Sequence, residues 1–272
     1  MQETIQNNDT RLIDEVVSYE PVKNTFLMAW EFIVLNKNFT LVVIGILIAL
    51  GLLQNIELMA LFFSIFAGML SLSVQIYAGR AIYLSKNIDD YISEVKKSDI
   101  NKIFSQHGFT ASGAYLGILA LTLSFIFAFA LLLGISGDIG VVQAGIQQEE
   151  MLAALAVFAL PMLLIIFALS YVQPLVQANI ILASSFKEGF KAVFTVFSAD
   201  VWREAFQKSY FIYIAKLGTI LMIALILLVS IIAGIEMLIP NIISSIFMSI
   251  VMYIFSIITA FGSMVLRRIV EN

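Results

Sequence analysis

Residues 210–234 read YFIYIAKLGTILMIALILLVSIIAG, and 237–266 follow with MLIPNIISSIFMSIVMYIFSIITAFGSMVL. The two stretches hold 25 and 30 residues and one charge between them, Lys216. A helix rises about 1.5 Å per residue, so about 20 apolar residues cross a hydrocarbon layer of about 30 Å. Runs of this length and purity predict transmembrane helices, and they set the fold class. Working outward, four further stretches qualify, at 39–53, 58–79, 112–135 and 151–173. The expectation is an all-α integral membrane protein with six transmembrane helices. The stretch at 39–53 is short and is expected to borrow residues from the segment before it. The one at 237–266 is long enough to tilt or to run beyond the lipid.

Composition agrees. Hydrophobic residues make up 61% and charged residues 12% of 272, against roughly 45–50% and 25% in soluble domains. Soluble globular, disordered and disulfide-stapled classes are excluded. The chain has no cysteine and one histidine, His107. Thiol catalysis, cysteine metal sites and multi-histidine metal sites are therefore excluded, and no cofactor is expected.

The basic residues give the orientation. All fifteen Lys and Arg fall on one side of the predicted spans. Arg11, Lys23 and Lys37 precede the first; Arg80, Lys86, Lys96, Lys97 and Lys102 follow the second. Lys187, Lys191, Arg203 and Lys208 follow the fourth, with Lys216 just beyond, and Arg267 and Arg268 close the chain. The opposite connections, near Asn55, at 138–150 and near Glu236, hold none. The positive-inside rule then places both termini in the cytoplasm of a bacterium, with the spans in its cytoplasmic membrane. Residues 1–20, MQETIQNNDTRLIDEVVSYE, read as a polar cytoplasmic arm without the basic start and apolar core of a secretory signal. Residues 21–272 read as one six-span domain.

The basic-side connections are not simply polar. Each pair of spans follows a stretch of large apolar residues at helical spacing: Phe26, Trp30 and Ile33; Ile92, Val95, Ile103 and Phe104; then Phe186, Phe190, Val193 and Phe197. After a break, Val201, Trp202, Ala205 and Phe206 continue the last series, with Ser198 a candidate cap and Asp200 in the first turn. The expected architecture is three hairpins, each preceded by an amphipathic cytoplasmic-side helix. Trp30, Phe104, Phe190, Phe197 and Trp202 are candidate interfacial anchors. Packing on the protein itself explains the same stripes equally well.

Polar residues inside spans are where function is sought first, since each needs a partner or water. Ser64, Gly68, Ser71 and Gln75 share one helix face in the second span. Ser170, Gln173 and Gln177 share one around Pro174, and Ser245, Ser249, Ser256 and Ser263 share one in the sixth. Close helix packing is the commoner use of such stripes. The sharper reading is a polar cavity of Ser71, Gln75, Ser170, Gln173, Gln177 and Lys216. Gly113 and Gly117 form a GxxxG, more often an internal contact than a dimer face. His107 is expected as an interfacial side chain. No HExxH, GxSxG or Walker loop occurs and no acidic pair lies within a span, so no enzyme activity is expected. The lysines lie among acidic residues, as Lys96 and Lys97 do beside Glu94 and Asp99, and no nucleic-acid partner is expected.

The stretch SSFKEGF at 184–190 leads through Trp202 and Phe206 into two closing spans that end at Arg267 and Arg268. In this the chain resembles the YciC-like six-span bacterial membrane proteins and the membrane domain of some glycerophosphodiester phosphodiesterases. The resemblance implies fold and location. It does not imply the diesterase activity, whose catalytic domain has no counterpart in this sequence. The expected function is a non-enzymatic module binding lipid, a membrane-protein partner or a second copy of itself. The alternative is a small-solute transporter or channel using the polar cavity.

Overall fold

The computed structural model describes residues 11–136 except 55, 57 and 58, together with 148–236 and 242–272. The described residues form eleven α-helices and one 3-10 turn, with no strand among them. Five helices are long and apolar enough to cross a membrane: α4 (Ala60–Leu84), α6 (Ile100–Ser136), α7 (Gln148–Leu182), α10 (Lys208–Glu236) and α11 (Ile242–Glu271). A sixth is reached only by joining α2 (Pro21–Leu35) to α3 (Lys37–Leu53), and these two meet at 90°. The helix of the first span begins at Lys37, two residues before the apolar run. The residues before it turn away, and α3 alone spans about 25 Å. The loops at 138–147, Asn55, Glu57 and residues 237–241 with Pro240, which entered the sequence argument, lie outside the described residues.

The corner between α2 and α3 has a specific cause. Asn36, buried at the bend, donates from Nδ2 to Ser98 Oγ at 2.9 Å. That hydroxyl lies 2.8 Å from the Tyr77 hydroxyl, which donates to the Glu94 carbonyl at 2.8 Å. Three segments distant in sequence thus hold one amide where the backbone leaves the helix.

The core is organised around α11. Its most apolar stretch is 61% buried, against 6% for α10, so α11 is the centre of the bundle and α10 a peripheral helix. Around α11 stand α4, α7, α3, α2 and α10. The sixth and second spans are thus inner helices, while α6 lies mainly on α4 and on the short helix α8 (Phe186–Val193), touching α7 only slightly. The apolar residues left uncovered, such as Leu123, Phe127, Leu164, Phe167, Met222 and Ile226, form a surface that a lipid layer would cover.

Part of the expected polar arm is folded. Leu12, Ile13 and Val16 on α1 (Leu12–Ser18) are buried, and Asp14 hydrogen-bonds Arg268 at the end of α11. Burial works against ionisation of Asp14, but Arg268 and the Arg11 backbone N–H outweigh it and hold the carboxyl below its usual value. The signal was present in the spacing of the three apolar residues.

The amphipathic segments divide differently from their sequence grouping. Ile92 and Val95 lie on α5 (Ile88–Val95), whereas Ile103 and Phe104 belong to the first turns of α6, continuous with the third span. Phe186, Phe190 and Val193 lie on α8, and Phe197 ends the 3-10 turn Phe194–Phe197. Ser198 caps α9 (Ala199–Ala205) by accepting from Asp200 N at 3.3 Å, as its position predicts. Ser185 caps α8 in the same way, and the Glu188 carboxylate returns to Ser184 N at 2.7 Å and Oγ at 2.6 Å. These two hydrogen bonds, with the Arg80 charge further off, hold the Glu188 carboxyl below its usual range.

Candidate functional site

The polar stripes of the inner helices meet in one seam between α4, α7 and α11. Gln177 Nε2 donates to Gln75 Oε1 at 2.5 Å, and Gln75 Nε2 donates to Ser256 Oγ at 2.7 Å. Ser71, one turn from Gln75, lies 3.2 Å from Ser256 Oγ. Gln177 and Ser256 are buried. Each of these four side chains hydrogen-bonds at least one of the others, as low-dielectric surroundings favour. A turn further on, Gly79 lets α4 close on its neighbours: a Cβ there would sit 2.9 Å from Ile181 Cδ1 and 3.2 Å from Met264 Cγ. The seam ends at Arg80. Its guanidinium donates from Nε to the Ile181 carbonyl at 2.7 Å and from Nη2 to the Ala183 carbonyl, across the last turn of α7.

Of the six residues proposed for a cavity, the structure brings three together: Ser71, Gln75 and Gln177. Ser170 and Gln173 are exposed on α7. They share a helix face with Gln177, but that face is uncovered on their side of Pro174. From Leu160 to Phe167 α7 stands largely clear of other helices, and continuous burial begins only at Leu175. Both Pro161 and Pro174 lie inside the unbroken helix. Spacing tells which residues share a face and not how far along it a neighbour reaches. Lys216 also lies apart, exposed on α10. Ser256, which joins the seam's two halves, was legible only as one serine of a stripe. Arg80 reads as a connection residue in the sequence because the second span is ended there at Gly79, whereas α4 continues five residues further, to Leu84.

The chain has no native cysteine, so cysteine labelling tests the seam directly. Gln177→Cys is expected to resist a water-soluble thiol reagent in intact membranes, because its side chain is enclosed. Rapid labelling at both Gln75→Cys and Gln177→Cys would establish a water-lined path instead.

The structure holds two cavities among the described residues, one of which touches the seam. The first, of about 710 Å³, lies toward the end away from the basic residues. Its lining comes from α3 and the residue that follows it (Leu47, Gly51, then Gln54), α4 (Gly68, Ser71, Leu72), α6 (Tyr115, Ile118), α10 (Val229, Ile232) and α11 (Met248, Ser249, Met252). Its lining is mostly apolar, with Gln54, Ser71 and Ser249 among the exceptions, and Ser71 joins it to the seam. The second, of about 890 Å³, lies at the basic end between α1, α2 and α10.

The candidate anchors also divide. Trp30 and Phe197 are each 62% exposed, while Phe104, Phe190 and Trp202 are partly covered by protein. Phe190 packs on Phe194 with ring centroids 5.1 Å apart, and Trp202 donates Nε1–H to the Val196 carbonyl at 2.8 Å. Tyr19 and Phe109, exposed at the same end, were not singled out in the sequence, while Phe206, named there in the apolar series that follows Ser198, is exposed with them; their exposure is a tertiary outcome. His107 is buried against the Tyr77 ring, with centroids 6.1 Å apart, and is not the interfacial side chain expected. The GxxxG at Gly113 and Gly117 is an internal contact whose partner is α8, not another span.

The chain matches no protein-family model, no curated protein and no solved structure.

Proposed function

We propose that this chain is a non-enzymatic, multi-pass module of a bacterial cytoplasmic membrane that holds a lipid between its spans. The observation that carries the reading is the 710 Å³ cavity among α3, α4, α6, α10 and α11. Its size falls within the roughly 300–1,000 Å³ of small-molecule sites. Its chemistry suits a lipid tail: Leu47, Leu72, Ile118, Val229, Met248 and Met252 line it, against the polar side chains of Gln54, Ser71 and Ser249. In this reading the end bearing the Lys and Arg residues faces the cytoplasm, together with both termini. The family resemblance on 184–190 and the closing spans fits the same location. The seam of Ser71, Gln75, Gln177 and Ser256 serves as a tie between inner helices, since its groups hydrogen-bond one another. This favours lipid binding over a solute path.

Gly51 offers the test. A Cβ there would meet nothing closer than Ser249 Oγ at 3.8 Å, so Gly51→Phe adds a ring to the cavity without displacing backbone. Wild-type protein extracted in mild detergent is expected to carry phospholipid in native mass spectrometry. Gly51→Phe should retain about tenfold less, the equivalent of about 1.4 kcal/mol. A lipid-free wild type, or a filled variant that retains as much, would remove the reading.

A further inference from the structure

We propose that the groove at the basic end is a second, separate lipid site, selective for an anionic phospholipid, with Lys216 holding the phosphate and one acyl chain lying along α10. The site does not depend on the cavity described above, because none of its lining residues is shared with it.

The groove has a volume of about 890 Å³ and is walled by the start of α2, by one face of α10 and by Ile269 of α11. Three charged residues line it: Glu20, Lys23 and Lys216. Glu20 and Lys23 pair with each other at 2.8 Å, so each meets the other's charge. Lys216 has no acidic partner among the described residues and is exposed to the groove. The lining therefore carries one uncompensated positive charge.

The position of that charge defines the ligand. Lys216 stands eight residues into α10, about 12 Å along its axis. A lysine within an apolar helix is unfavourable unless its ammonium reaches water or an anion. A phospholipid supplies an anion at the boundary of the hydrocarbon layer, joined to a chain that continues inward. The groove offers both parts: Ser209 and Lys216 supply polar groups, Ile212 stands between them on α10, and Ile220 continues the apolar wall one turn further inward, each isoleucine being more than 40% exposed. Tyr213 also lines the groove, but its hydroxyl already pairs with Thr25 at 2.8 Å. Free phosphate would satisfy Lys216 and leave the apolar wall uncovered. A zwitterionic lipid would bring a second cation to a site already positive. An anionic phospholipid matches both halves.

The full-length protein is reconstituted in equal amounts of phosphatidylglycerol and phosphatidylcholine, extracted mildly, and its retained lipids are weighed by native mass spectrometry. Wild type is expected to be enriched in phosphatidylglycerol. Lys216→Gln should lower that enrichment about fivefold, the size of one lysine contact with an anionic surface. Lys216→Arg should preserve it, and Lys187→Gln, an exposed charge on α8, should leave it unchanged. Ile220→Trp fills the groove with the charge intact and should also abolish the enrichment, which keeps the test valid if Lys216→Gln proves unstable. No enrichment in wild type, an unaltered ratio in Lys216→Gln or Ile220→Trp, or equal losses in Lys216→Gln and Lys187→Gln would overturn the assignment. Gly51→Phe should reduce total lipid while leaving the enrichment at this site in place, so the two proposals fail separately.

Discussion

Gly113→Ala is expected to lower the stability of the folded protein by about 3 kcal/mol, the upper part of the range for overpacking. A Cβ at this position would lie 2.0 Å from the Phe186 carbonyl oxygen, 2.8 Å from its carbon and 3.0 Å from its Cα. All three are backbone atoms, so no rotamer change makes room. Across the contact Gly189 is equally constrained, since its Cβ would lie 2.3 Å from the Thr110 carbonyl oxygen. The two glycines let α6 and α8 touch backbone to backbone. Eight residues of α8 would be marginal as an isolated helix, so this seat is what holds them. Thermal unfolding in mild detergent measures the loss. Gly218→Ala provides the contrast: nothing lies within 4 Å of its Cβ, and the better helix propensity of alanine should stabilise by up to about 1 kcal/mol. Similar melting temperatures for Gly113→Ala and wild type would contradict the contact. Gly113→Ala and Gly189→Ala share one interface, so their effects should fall short of adding.

Arg80→Met should cost about 3 kcal/mol. The Arg80 guanidinium serves the Ile181 and Ala183 carbonyls where α7 ends, and the last carbonyls of a helix have no partner within it. Charged donors at such positions contribute about 1.5–3 kcal/mol per bond, and their removal leaves acceptors unsatisfied in a half-buried place. The cation also lies at the negative end of the helix dipole. Arg80→Lys should recover only part of the loss, because an ammonium cannot reproduce the two-nitrogen fork. Two readouts apply: melting temperature, and the rate of trypsin cleavage at Lys187, in the first turn of α8 five residues beyond the end of α7. If Arg80→Met melts and cleaves like wild type, the guanidinium is not holding this end of α7.

Helix length and hydropathy made the apolar helices legible, and local chemistry made the start of the short helix α9 legible too. Ser198 with Asp200 two residues on was readable as a cap because capping is a contact within one turn. The seam was half legible. Ser71 and Gln75, four residues apart, share a face by helix geometry alone, but Gln177 and Ser256 reach them only because α11 is central. Ser170 and Gln173 had the same spacing credentials and are left outside, since α7 lacks a neighbour at their height. His107 looked interfacial from its polar flanks and is buried because Tyr77 and the residues around it close over that turn of α6.

What the amino-acid sequence determined by itself is whatever acts over one helical turn or over bulk composition. It placed the long apolar helices, the one-sided distribution of lysine and arginine, the cap at Ser198 and the presence of small residues on particular faces. Only the tertiary structure decided which faces meet. The 90° corner at Asn36, the central place of α11, the backbone seat of α8 on α6 and the two cavities arise from contacts between residues tens to hundreds of positions apart. Periodicity carries no information on such contacts, because every apolar helix presents several faces that could be covered. The choice among them is made by packing complementarity over the whole bundle.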